Sequence, residues 1–68
     1  MREYEHDVVG KAYKIERCGD YYGLFKLDWT AGVPRLKHWV YVEAFFTQEQ
    51  AHRGVQALPE DAVVQWLV

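Results

Sequence analysis

The chain predicts a small two-layer α+β domain of β-β-β-α-β order, an antiparallel meander with one helix packed on one face. Three observations predict it. Three runs rich in aromatic and β-branched residues alternate in polarity and are separated by turn residues. At Thr47 the pattern changes from period two to helical spacing. A final apolar run, ending at Val68, follows Pro59, which stops the helix.

The first strand is expected over residues 8–17, with Tyr13 and Ile15 on one face and Lys14 and Glu16 on the other. Gly10 marks a bulge near its start. Cys18-Gly19-Asp20 is the turn, and residues 21–29 are the second strand. A three-residue loop sets Tyr13 opposite Phe25, matching apolar side chains across the hairpin. Tyr21, Phe25, Leu27 and Trp29 then form the inner face, and Trp29 is a core residue. Residues 30–35, with Pro34, form a loop. In the third strand Leu36, Val40, Val42, Ala44 and Phe46 face inward, which sets Asp28 opposite Lys37.

The helix is expected over residues 48–58. Thr47 caps its free N–H groups, Gln50 reaches back to the Thr47 N–H, and Phe46 and Ala51 form a hydrophobic staple. Ala51, Val55 and Leu58 make the apolar stripe, and Gly54 lets the helix approach the aromatic side chains of the sheet. Residues 62–68 form a last strand of unassigned position. Residues 1–7 read as a frayed or edge segment without the apolar run of a signal peptide.

With 68 residues the chain is one domain, residues 1–68, and its core is thin, because so short a chain buries only about 60% of its unfolded surface. A composition 50% hydrophobic and 26% charged is globular rather than disordered. Cys18 is the single cysteine, which excludes an internal disulfide and a cysteine-rich zinc site and fits a reducing compartment, hence the cytoplasm. No run reaches the length of a membrane span. A net charge of −2 opposes indiscriminate polyanion binding.

No glycine-rich phosphate loop, G-x-S-x-G or paired-carboxylate arrangement is present, so an enzyme is not expected and no cofactor is implied. His6, His38 and His52 lack ligand spacing, so no metal is expected, and His38 is placed on the inner face at the sheet rim. Cys18 is read as a hairpin-tip residue beside Arg17. One helix covers one face only. The other face is assigned Tyr22, Leu24, Trp39 and Tyr41, ringed by Lys14, Lys26 and Lys37, and is the candidate interaction surface. The expected function is a non-enzymatic binding module whose partner is another protein or a second copy of the chain. The exposed apolar tail and the shortage of staples favour self-association into a homodimer. The alternative is nucleic-acid binding, with rings stacking bases and lysines meeting phosphates.

Phe45, Thr47, Glu49 and Ala51 spell F-x-T-x-E-x-A directly after the meander. This is similar to the strand-to-helix junction of the plant and phage-integrase arm-type DNA-binding domains built on a three-stranded sheet. The resemblance covers the β-β-β-α portion and implies DNA contact through the sheet. The chain departs from the arginine-rich strands of those domains, since its lysines are interspersed with Glu16, Asp28 and Glu43.

Overall fold

The computed structural model describes residues 9–68. The expectations for residues 1–7, for His6 and for Val8 as the start of the first strand lie outside them. Among the described residues four strands and one helix follow in the order β1 (Ala12–Cys18), β2 (Tyr21–Trp29), β3 (Lys37–Phe45), α1 (Gln48–Gln56) and β4 (Val63–Leu67). The strands form one mixed sheet of order β3-β2-β1-β4. β1, β2 and β3 are the expected antiparallel meander, and β4 runs parallel to β1. Parallel pairing needs a long crossover, and α1 supplies it by carrying the chain from one sheet edge to the other. The domain is therefore α+β with two layers.

Both hairpin registers differ from the expected ones. Cys18 pairs with Tyr21, so the first turn has two residues, Gly19 and Asp20. Gly19 takes φ 64° and Asp20 does not take positive φ, which is the pattern of a tight II′ hairpin turn with glycine first. Tyr13 consequently faces Lys26, and Lys14 faces Phe25. Between β2 and β3, Asp28 faces His38, Leu27 faces Trp39 and Phe25 faces Tyr41. Leu24 then faces Glu43, leaving Val42 as the extra residue of a β-bulge. A one-residue shift exchanges every side chain between faces. The core side of β2 is thus Tyr22 and Leu24, not Phe25, Leu27 and Trp29. His38 is exposed instead of lying at an inner rim. Gly10 sits in a turn at φ 87°, its N–H donating to the Leu27 carbonyl at 2.8 Å, so it closes the approach to β1 rather than bulging a strand.

The core comprises Tyr13, Ile15, Leu24, Phe45 and Ala51, with Tyr22, Val55, Leu58, Ala62, Val64 and Trp66 packed against it. Its extent follows from the length of the helix. At about 1.5 Å per residue, the nine residues of α1 span about 13 Å, whereas nine-residue strands run about 30 Å. The helix covers the end of the sheet near Tyr22 and Phe45. Beyond it the same side of the sheet carries Lys26, Asp28 and His38, side chains that tolerate water. Pairing apolar with apolar across the hairpins does not give this register, because the part of the helix side beyond α1 carries polar side chains.

Local chemistry sets the helix ends. The Thr47 side chain accepts from the Gln50 N–H at 3.1 Å, and Gln50 Oε1 accepts from the Phe46 N–H at 2.9 Å, one residue earlier than the expected reciprocal bond to Thr47. Phe46 is 76% exposed, so it forms no staple with the fully buried Ala51. Phe45 turns inward in its place. The helix ends at Gln56, short of the expected residue 58. The Ala57 N–H bonds the Gly54 carbonyl and the Leu58 N–H bonds that of Val55, tightening the last turn before Pro59. Glu49 and Arg53 form an i,i+4 pair in the favourable orientation. Thr47→Ala is expected to lower stability by about 1 kcal/mol, read as a lower urea midpoint at unchanged slope. Thr47→Ser, which keeps the acceptor, should stay close to the parent.

Beyond the helix, the Ala62 N–H donates to the Pro59 carbonyl at 3.0 Å and the Val63 N–H to the Lys11 carbonyl at 2.9 Å. A Lys11–Asp61 ion pair at 3.4 Å brackets the same junction. His52 of α1 stacks on Trp66 of β4 with ring centroids 4.4 Å apart, which ties the crossover helix to the strand it delivers. Among the described residues no helix is long and apolar enough to cross a membrane.

Candidate interaction face

The face opposite α1 is built from the even residues of β1, the odd residues of β2 and the alternate positions Lys37, Trp39 and Tyr41 of β3. Among the described residues no helix or strand lies over it. Phe25, Tyr41 and Trp39 are brought side by side where β2 and β3 pair, and Phe25 meets Tyr41 edge to face at 6.0 Å and 71°. Lys14 Nζ lies 4.9 Å from the Trp39 ring centroid and 5.3 Å from that of Phe25. It also forms an ion pair with Glu16 Oε2 at 3.1 Å, and the lysine side chain is only 16% exposed. A cation desolvated over two rings and neutralised by a carboxylate ties the aromatic cluster together.

Gly23 shapes the cluster from below. A Cβ there would stand 2.8 Å from Phe25 Cε1 and 3.3 Å from Cys18 Sγ, so the missing side chain is what lets the Phe25 ring lie back on the sheet. Cys18 is half-buried on this face, its Sγ 3.6 Å from the Glu16 carbonyl oxygen. Arg17 alternates to the other side and donates to the Gly19 carbonyl, and Cys18 ends β1 opposite Tyr21 instead of belonging to the turn as expected. At the far end the Arg35 guanidinium stands 5.0 Å from the Trp29 ring centroid, near Lys37. On β4, Val63 and Leu67 are exposed.

Of the residues assigned to this surface from sequence, Trp39, Tyr41, Lys14 and Lys37 are together on it. Tyr22, Leu24 and Lys26 are not. The two-residue turn puts them on the helix side, where Leu24 is 2% exposed within the core and Tyr22 packs against it. Their places are taken by Phe25, Leu27 and Trp29, which the expected register had buried. The signal that would have identified them is the Gly19-Asp20 pair, whose glycine-first order suits a two-residue hairpin turn.

A second concavity lies between β3 and α1. It is an open groove of about 530 Å³ lined by Glu43, Ala44, Phe45, Phe46, Gln50, Arg53 and Gly54. Two of its polar side chains are engaged locally, Gln50 with the Phe46 N–H and Arg53 with Glu49. Among the described residues no three His, Cys, Asp or Glu side chains come together as a metal site. No protein-family model, curated protein or solved structure matches the chain.

Proposed function

We propose that this domain is a non-enzymatic interaction module working in the cytoplasm, and that its open sheet face receives another protein. The observation that carries the reading is the Phe25–Trp39–Tyr41 cluster with Lys14 laid across it. Aromatic side chains dominate the energetics of protein interfaces, and a patch of them exposed on a domain marks a contact surface. The charge of Lys14 favours a protein over a polyanion. Its ammonium is already paired with Glu16, so meeting a phosphate would require breaking that pair.

One feature supports nucleic acid as a second reading. Arg35 stacked on Trp29, beside Lys37, is an aromatic–cation pair of the kind that holds an unstacked base and its phosphate. The two readings part in one experiment. The parent chain and a Trp39→Ala/Tyr41→Ala variant are used as baits in an extract of the source cells, and both are titrated with mixed-sequence oligonucleotides at low salt. The expected result is a specific protein retained by the parent and reduced at least tenfold in the variant, with unchanged circular dichroism. Equal retention by both overturns the reading. So does oligonucleotide binding that weakens steeply with salt and is lost on Trp29→Ala, which would establish the second reading instead.

A further inference from the structure

We infer that the chain forms a two-fold homodimer by antiparallel pairing of its β3 edges, centred on Val40. β3 is one border of the sheet, so along its central residues, His38 to Glu43, no second strand pairs with its outer side among the described residues. Every side chain from Lys37 to Glu43 is exposed. The helix covers only the Phe45 end of the strand, which leaves Trp39, Val40, Tyr41 and Val42 between 37% and 56% exposed on both faces of the sheet. Four consecutive apolar residues on an open edge, with no proline and no charge among them, lack the devices that keep edge strands apart.

The strand is also complementary to itself. With Val40 opposite Val40 of a second copy, same-side matching sets Trp39 opposite the copy's Tyr41 on the open face. The bulge at Val42 advances the count by one residue. His38 then falls opposite the copy's Glu43 on the helix side, an imidazole donor facing a carboxylate acceptor, and Lys37 falls opposite Ala44. Two-fold symmetry makes each of these pairs twice in one closed contact. The opposite edge, β4, has five residues against nine and offers a shorter ladder. Edge pairing of this length sits at the small end of specific interfaces, near about 1,200 Å² in total, so dissociation in the micromolar range is expected. Dimerisation would join the two open faces into one continuous platform. It uses the edge rather than the face and does not depend on the partner proposed above.

Cross-linking tests the register directly. In a Cys18→Ser background, Val40→Cys places two thiols on directly opposed residues, whose Cα separation of about 4.5–5.5 Å suits a disulfide. Mild oxidation at about 0.1 mM, above the dissociation constant expected for so small an interface, should convert most of the protein to a covalent dimer. Lys37→Cys, whose two copies lie more than about 20 Å apart in this register, should remain monomeric. Equal cross-linking at both positions, or cross-linking of Gln65→Cys in β4 in place of Val40→Cys, overturns the inference. Sedimentation of the unmodified chain adds an independent reading, with a dimer mass for the parent and at least tenfold weaker association for Val40→Lys at unchanged circular dichroism. A parent that stays at 8.0 kDa under the same conditions also overturns it. Retention of the partner by monomeric Val40→Lys would separate the failure of one proposal from that of the other.

Discussion

Replacing Ile15 by alanine is expected to cost about 2–5 kcal/mol, a large share of the total stability of a chain this small. Ile15 is 0% exposed on β1, a central strand bordered by β2 and β4. Its cross-strand neighbours are Leu24 on one side and Trp66 on the other, and Ala51 of the helix belongs to the same cluster. A cavity at this point opens beneath the helix and between three strands, where the surroundings have the least freedom to collapse. Trp29→Ala removes a larger side chain but is expected to cost less than Ile15→Ala. The indole is half-buried on the open face and outside the core cluster, so its removal takes away a cation contact with Arg35 worth about 0.5–1 kcal/mol and part of its burial but opens no cavity beneath the helix. Thermal unfolding reads the contrast, since each kcal/mol shifts the midpoint of a domain this size by about 4–8 °C. A Trp29→Ala loss equal to that of Ile15→Ala would mean that the faces of β2 are reversed.

Gly54→Ala is expected to destabilise the domain by about 1–2 kcal/mol, against the direction that helix propensity alone dictates. Alanine in a helix interior is favoured over glycine by about 1 kcal/mol. The added methyl, however, would stand 2.6 Å from Phe45 Cε1 and closer still to Cζ, and Phe45 is a buried core ring. Overpacking a filled core costs about 1–3 kcal/mol, which exceeds the backbone gain. Shortening the ring reverses the balance. In a Phe45→Leu background the same Gly54→Ala change should be neutral or stabilising, because the tip of the ring is gone. The two effects compose a double-mutant cycle with a coupling of about 1–3 kcal/mol, measurable by urea unfolding. Gly54→Ala raising stability in the parent would mean that the helix stands farther from the sheet than its contact with Phe45 requires.

The amino-acid sequence by itself determined which segments became strands and where the helix began. Residues 21–29 alternate in a way only a strand uses, and Thr47 caps the turn that follows it; both are interactions within a few residues. Gly54 was legible for the same reason, as a small residue on the stripe that must meet an aromatic sheet. Half of the candidate site was legible as well, in Trp39, Tyr41, Lys14 and Lys37. Which side of each strand met the helix was decided by the tertiary structure alone. Two positions settle it, the two-residue turn at Gly19 and the bulge at Val42, and each shifts a ladder by one residue. Because side chains alternate with period two, that single step moved Leu24 into the core and Phe25 and Trp29 out of it. Both faces of β2 carry large apolar residues, so composition could not distinguish them. The choice was made by a nine-residue helix, which buries the side it lands on and leaves the other uncovered among the described residues.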